Sequence, residues 1–290
     1  MAELSEITTV GVVGGGFMGS GIAESCARTG VSVVVYEPVP GALERSRARI
    51  GDSLGRAVAR GRASEAERDA TLARITWTSE LADLERVDAV TEAVTEDVAV
   101  KGELFQRLDE LLPDAVFLAS NTSSIPIAQI ASWTTRPERV LGLHFFSPVP
   151  VMSLVEVVVG YRTAVDVVTA AETFAAGIGK YAVRTKDRSG FIVNFLLVPY
   201  LMSAIRMFQD GFATREDIDS AMVRGCGYPM GPLTLADFIG LDVLYAIGDS
   251  LYEEFKQPEY APPPLLKRMV VSGAHGRKSG GGFYEYPAEA

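Results

Sequence analysis

Thr9-Val10-Gly11-Val12-Val13-Gly14-Gly15-Gly16-Phe17-Met18-Gly19 joins an apolar run to a helical pattern through a glycine-rich turn. Gly14 permits the tight turn, Gly16 lets the backbone approach a pyrophosphate, and Gly19 lets the helix pack on its strand. The pyrophosphate would rest on the backbone N–H groups of Phe17 and Met18, at the positive end of the helix beginning there. Glycine clusters also make ordinary turns, so the surroundings decide. A second apolar run, Val31-Ser32-Val33-Val34-Val35-Tyr36, ends in Glu37, near the offset of ~20 residues at which an acid meets a ribose 2′-hydroxyl. An acid there accepts hydrogen bonds from that hydroxyl and repels a 2′-phosphate. Pro38 and Val39 follow with no Arg or Lys beside them, which favours NAD over NADP. The competing reading of Glu37 is a surface acid after a strand.

Outward from this turn, short β-branched runs alternate with helical patterns up to about residue 185, the mark of a doubly wound, mostly parallel sheet covered by helices. The expected strands are Thr9 to Val13, Ser32 to Tyr36, Ile75 to Thr78, Ala89 to Ala93, Val116 to Ser120, Val140 to Phe145, Leu154 to Val159 and Tyr181 to Thr185. Leu43 to Leu72 is long enough for two helices, read as a hairpin inserted in the fold and projecting from the sheet. After Asp187-Arg188-Ser189-Gly190 the texture changes to long apolar helical patterns, broken at Gly225 to Pro232 and at Pro262-Pro263-Pro264. The expected division is therefore a dinucleotide-binding domain over 1–187 and an all-α domain over 188–290. So much apolar surface on a small helical domain is often buried against a second subunit, which points to a homodimer.

The 290 residues suffice for two such domains, and 48% hydrophobic against 22% charged residues is a globular composition. A net charge of −10 repels nucleic acid and anionic membranes, so neither is an expected partner. The two cysteines, Cys26 and Cys226, have no metal-binding spacing. That pattern points to a reducing, cytoplasmic setting and gives no indication of a metal. Glu3 and Glu6, with no basic segment, make a secretory signal unexpected. Phe191 to Ile205 contains Asn194, Pro199 and Ser203. It is shorter than the ~20 residues of a membrane span, and reads as a buried helix.

Histidine suits proton transfer near neutral pH, and the chain has two. His275 falls in a loop. His144 ends the apolar strand Val140-Leu141-Gly142-Leu143, and ligands of open α/β sheets bind outside the carboxyl ends of the strands. Glu156, twelve residues on, lies in Ser153-Leu154-Val155-Glu156-Val157-Val158-Val159, where a carboxylate needs a partner. With both residues at strand carboxyl ends on neighbouring strands, Glu156 would fix the His144 tautomer. The alternative is a solvent-facing Glu156 on an edge strand. Ser120-Asn121-Thr122-Ser123-Ser124 follows another strand and offers hydroxyls and an amide to a substrate oxygen and a cofactor ribose, or else caps the helical pattern of Ile125 to Ala131. A buried Asn194 is either a cleft ligand or a helix-packing polar residue.

Together these segments resemble the short-chain L-3-hydroxyacyl-CoA dehydrogenases, especially the 3-hydroxybutyryl-CoA dehydrogenase group, over nearly the whole chain. The resemblance rests on Val13-Gly14-Gly15-Gly16-Phe17-Met18-Gly19-Ser20-Gly21-Ile22-Ala23, Ala119-Ser120-Asn121-Thr122-Ser123-Ser124-Ile125 and Gly142-Leu143-His144-Phe145-Phe146-Ser147-Pro148-Val149-Pro150-Val151-Met152. It continues through Gly190-Phe191-Ile192-Val193-Asn194, Gly227-Tyr228-Pro229-Met230-Gly231-Pro232 and Lys278-Ser279-Gly280-Gly281-Gly282-Phe283-Tyr284.

The resemblance implies a Rossmann-type first domain, NAD as cofactor and an acyl-CoA thioester as substrate. It implies a catalytic pair of His144 and Glu156, with Ser123 and Asn194 on the substrate oxygen. Glu96 and Lys101 would lie near the nicotinamide half of the cofactor, with Ser120 and Asn121 beside it, and Lys278 near the closed cleft. Ser53 and Arg60 match positions that contact the coenzyme A nucleotide. Ser147 replaces the family's usual Asn, which bears on the acyl preference. A relative acting on an acyl group held by an acyl carrier protein, and a non-catalytic dinucleotide sensor, are the alternatives.

Overall fold

The computed structural model describes residues 7–287, so Glu3 and Glu6 lie outside the described residues. The chain divides into two compact units after Arg188.

The first unit is built on one eight-stranded sheet in the order β3-β2-β1-β4-β5-β6-β7-β8. The strands are β1 (Thr9–Val13), β2 (Ser32–Tyr36), β3 (Ile75–Thr78), β4 (Ala89–Glu92), β5 (Leu118–Ser120), β6 (Val140–Phe145), β7 (Leu154–Val159) and β8 (Tyr181–Lys186). All neighbours are parallel except β6 and β7. Helices α1 (Phe17–Arg28), α2 (Ala42–Ala59), α3 (Glu65–Ala73), α4 (Val98–Leu111), α5 (Ile127–Ser132) and α6 (Val165–Gly177) make the connections. A parallel sheet clad on both faces buries both sides of its strands. Val10, Val12 and Val13 accordingly have no exposed surface, and the strand reads as an unbroken apolar run. Order reverses at β1, which pairs with β2 on one side and β4 on the other, so the crevice of the sheet opens at the end of β1.

Several expectations change in detail. β4 ends at Glu92 rather than Ala93, and β8 runs to Lys186 rather than Thr185. β5 begins at Leu118 rather than Val116. Val116 and Phe117 still exchange backbone hydrogen bonds with Asp88 and Val90 as they run in beside β4. The hairpin of α2 and α3 does not stand clear of the fold. Ile50 and Leu54, one helical turn apart, are buried in the same core as the strands, and α2 packs along α1. Glu156 is not at a carboxyl end: β7 runs antiparallel to β6, so Glu156 reaches the edge where β6 ends from the amino-terminal part of its own strand.

Local signals place the helix ends. Ser64 and Glu67 form a reciprocal capping box at α3. Asp97 accepts from the N–H groups of Ala99 and Val100 at α4. No residue of Ser120–Ser124 caps α5. Asp187, at the end of the first unit, accepts from Ile127 and Ala128 instead.

The second unit holds α7 (Val193–Gln209), α8 (Arg215–Cys226), α9 (Pro232–Ile239), α10 (Leu241–Phe255) and α11 (Pro264–Val271). Leu201, Met202, Ile205, Leu233, Leu241 and Leu266 form its fully buried centre. Two buried acids bind it together. Asp219 of α8 accepts from the N–H groups of Leu233 and Thr234 at the start of α9, and Asp237 of α9 accepts from Phe283 and Tyr284 of the C-terminal segment. No helix of the described residues is long and apolar enough to cross a membrane.

Candidate active site

The glycine turn follows β1 and leads into α1. Gly14 has φ +101°, a region that disfavours any side chain, and a Cβ there would stand 2.7 Å from the Ala93 carbonyl oxygen. A Cβ on Gly19 would fall 1.8 Å from the Gly14 carbonyl oxygen, so α1 starts against its own turn only because that atom is missing. Gly16 differs: nothing lies within 4 Å of the position its Cβ would take. The first turn of α1 carries no side-chain cap and no acid, so its N–H groups and its dipole are turned to an anion from outside. That cradle fits a dinucleotide pyrophosphate.

Glu37 follows β2, and its carboxylate accepts from the N–H groups of Gly15 at 2.9 Å and Val39 at 3.0 Å. A carboxylate has about four acceptor positions, so it can take a ribose hydroxyl as well. The Gly15 carbonyl is held from the other side by the Ser20 hydroxyl at 3.0 Å and Arg49 Nη1 at 3.2 Å. Arg49 is not among the residues expected from sequence, where α2 reads as a charged surface helix.

Beyond β4 and β5 lies a buried polar cluster. Lys101, 1% exposed, places Nζ 2.6 Å from Glu92 and 3.2 Å from Glu96. Glu92, with no exposed surface, also accepts from the Ser120 hydroxyl at 2.6 Å and from the Val94 N–H at 2.7 Å. Ser120 therefore faces the acid of β4. One Glu96 oxygen gathers the Thr122 hydroxyl, the Ser123 N–H, and both the N–H and hydroxyl of Ser124. Burial pushes the Glu96 carboxyl up, but Lys101 with the Thr122 and Ser124 hydroxyls outweighs it and holds the group below its ordinary value. Asn121 turns its amide oxygen to the Phe145 N–H at 2.9 Å, tying the end of β5 to the end of β6.

His144, near the end of β6, stands directly opposite Glu156 of β7 in the antiparallel register. Its Nδ1 lies 2.7 Å from Glu156 Oε2. Glu156 has no exposed surface, so the solvent-facing alternative is removed. The Phe146 ring meets the imidazole edge-on with centroids 4.7 Å apart. Ser147 follows, exposed, and then the turn Pro148 to Met152.

Pro148, Val149 and Pro150 form one wall of a cavity of about 180 Å³, with Glu24 of α1 and Arg49 and Ser53 of α2 on the others. Burial pushes the Glu24 carboxyl up, opposed by a hydrogen bond from Ser53 and by Arg28 and Arg56. Arg60 is exposed at the end of α2. Asn194 and Lys278 belong to the second unit. Asn194 is 9% exposed in the first turn of α7, and Lys278 is paired with Asp242 at 2.6 Å.

Buried charge pairs beside a nucleotide cradle and a histidine–carboxylate pair on the same sheet edge describe a hydride-transfer site more closely than a storage or sensing fold. Comparison with known proteins agrees. Residues 9–188 match the 3-hydroxyacyl-CoA dehydrogenase NAD-binding domain, and residues 190–286 match the C-terminal domain of the same family. A 3-hydroxybutyryl-CoA dehydrogenase of Mycobacterium tuberculosis is 56% identical over 97% of this chain and 99% of its own. The mitochondrial hydroxyacyl-coenzyme A dehydrogenase of Homo sapiens is 44% identical over 96% of this chain and 90% of its own. The crystal structure of M. tuberculosis FadB2 is similar with a TM-score of 0.96 at 55% identity, covering 98% of this chain and 100% of that one. With matches of this extent across both units, the chain belongs to the 3-hydroxyacyl-CoA dehydrogenase family, and its first unit is that family's NAD-binding domain.

Proposed function

We propose that this chain oxidises a short 3-hydroxyacyl-CoA, such as 3-hydroxybutyryl-CoA, to the 3-oxoacyl-CoA with NAD, or runs the reverse reduction. The observation that carries the reading is the buried 2.7 Å contact between His144 and Glu156 at the edge where β6 ends. Glu156 accepts a hydrogen bond from Nδ1–H, which fixes the tautomer and makes Nε2 the basic nitrogen. His144 then takes the 3-hydroxyl proton, and Glu156 stabilises the imidazolium that forms. Bound NAD supplies the acceptor for the hydride that leaves C3. In the reductive direction His144 returns the proton to the oxygen at C3. Ser123 and Asn194 are the donors that the family likeness assigns to that oxygen. Glu96 and Lys101, with Ser120 and Asn121, shape the nicotinamide side, and Lys278 is the family's further contact.

The cavity between α1, α2 and Pro148–Pro150 is the path assigned to the thioester arm, with Ser53 and Arg60 toward its nucleotide. The exposed side chains Leu196, Phe212, Phe238 and Val271 of the second unit support a homodimer. Two unpaired cysteines support a cytoplasmic setting.

Purified protein given acetoacetyl-CoA and NADH should oxidise NADH. No turnover there, with turnover on a carrier-protein-bound acyl group, would replace coenzyme A by a carrier protein in this reading. Glu37→Ala should weaken NAD binding by about tenfold to a hundredfold, the loss of a charged hydrogen bond to the ribose. NADP should gain relative to NAD. Unchanged discrimination in paired titrations of the two cofactors contradicts the ribose role.

A further inference from the structure

Lys180 lies between α6 and β8, outside every motif of the site. It is 9% exposed and makes no ion pair among the described residues. Its ammonium instead donates to two backbone carbonyls of one turn, those of Val149 at 2.5 Å and Met152 at 2.9 Å. A buried lysine directed at carbonyls alone costs desolvation, and that cost is met only where those carbonyls must be held in place.

The turn it grips begins four residues after His144. The Pro148 carbonyl accepts from the Val151 and Met152 N–H groups, and Pro148, Val149 and Pro150 face the cavity assigned to the thioester arm. On its other side the turn presses on α1: a Cβ added to Gly21 would stand 2.9 Å from Val149 Cβ. The turn is therefore located by packing on one flank and by the Lys180 ammonium on the other.

We propose that protonated Lys180 is a positioning residue that holds the Pro148–Met152 turn as the wall on which the arm of the thioester substrate lies. This rests on the function proposed above. Its charge serves substrate binding and takes no part in proton transfer at His144. The groups facing it come from α1: Cys26, whose thiol burial pushes up to about 12, Glu24, whose carboxyl burial pushes up, and Arg28. Burial moves the Lys180 ammonium down from its ordinary value, so its grip is lost on the alkaline side sooner than for a surface lysine.

The test compares acetoacetyl-CoA with the acetoacetyl thioester of N-acetylcysteamine, which lacks the nucleotide and most of the arm. Lys180→Met should raise KM for acetoacetyl-CoA about tenfold with kcat held within about twofold, and Lys180→Arg should restore most of the loss. KM for the short thioester and the NADH dissociation constant should stay unchanged. In the wild type, KM for acetoacetyl-CoA should climb at alkaline pH while that for the short thioester stays flat, a readout that needs no variant to fold. An unchanged KM for acetoacetyl-CoA in folded Lys180→Met, an equal loss on both thioesters, or parallel alkaline profiles would overturn the proposal. A wild type inactive on acetoacetyl-CoA overturns the function itself, and is told apart because it appears before any variant is made.

Discussion

His144→Gln should lower kcat for 3-hydroxyacyl-CoA oxidation by about a thousandfold or more, the upper part of the range for a positioned general base. NADH binding should stay within about twofold, since the glycine turn and Glu37 are untouched. Glutamine is chosen because its amide can still donate to Glu156, so the fully buried carboxylate keeps a partner and the variant folds. What glutamine cannot do is accept and return a proton. Glu156→Gln separates the two halves of the pair. The base remains, but the pair loses the negative charge that stabilises the imidazolium, and the new amide N–H can donate to Nδ1 and favour the wrong tautomer, so kcat should fall, though less steeply than for His144→Gln. Steady-state rates in both directions check this. A His144→Gln enzyme within about threefold of wild type would remove histidine from the chemistry.

Lys101→Met should cost stability more than any surface substitution, about 3–5 kcal/mol, because it leaves Glu92 buried without its cation. The Ser120 hydroxyl and the Val94 N–H would remain on that carboxylate, but neither neutralises it. Thermal unfolding should shift down on the order of 10 °C. Glu92→Gln combined with Lys101→Met should recover part of the loss, since the double variant removes both charges from the same buried space. NAD affinity should fall in the single variant as well, because Glu96 loses the ammonium 3.2 Å away. A single variant that unfolds at the wild-type temperature would show that the pair contributes nothing.

The strands of the first unit were legible because a sheet covered on both faces turns its strands into unbroken apolar runs, and those runs have sharp ends at Gly14, Glu37 and His144. Strand direction is another matter. Apolar composition says nothing of whether β7 runs with or against β6. The loop between them does: residues 146–153 are too few for a parallel crossover, which needs about a dozen or more. That length places Glu156 opposite His144 from the amino-terminal side of its strand, and is the signal that strand composition alone leaves unused. Glu92, Arg49 and Lys180 were not legible. Each lies where a charged residue normally meets water, at a strand end, on a helix face and just before a strand, and each finds its partners only through the fold: Glu92 in Lys101 and Ser120, Arg49 in the Gly15 carbonyl, and Lys180 in the carbonyls of Val149 and Met152. Glu96 and Lys101 became visible through family likeness only, since a charged start to a helix is otherwise unremarked. The capping of α5 shows the same limit. Hydroxyl-rich residues stand just before the helix, yet the cap comes from Asp187, sixty residues on.

The three spaced glycines of the turn are constrained by different masters, and this gives a way to read the history of such a fold. Gly14 and Gly19 are demanded by the polypeptide itself, through a positive φ and through a carbonyl that would collide with any added carbon. Gly16 has open space around it, and only a visitor would object to an alanine there. A descendant that gave up its cofactor would keep the outer two glycines to stay folded and let the middle one drift. Gly16 is thus the one of the three whose lack of a side chain the fold does not explain and a bound cofactor does, whereas the other two would be needed in the empty fold as well.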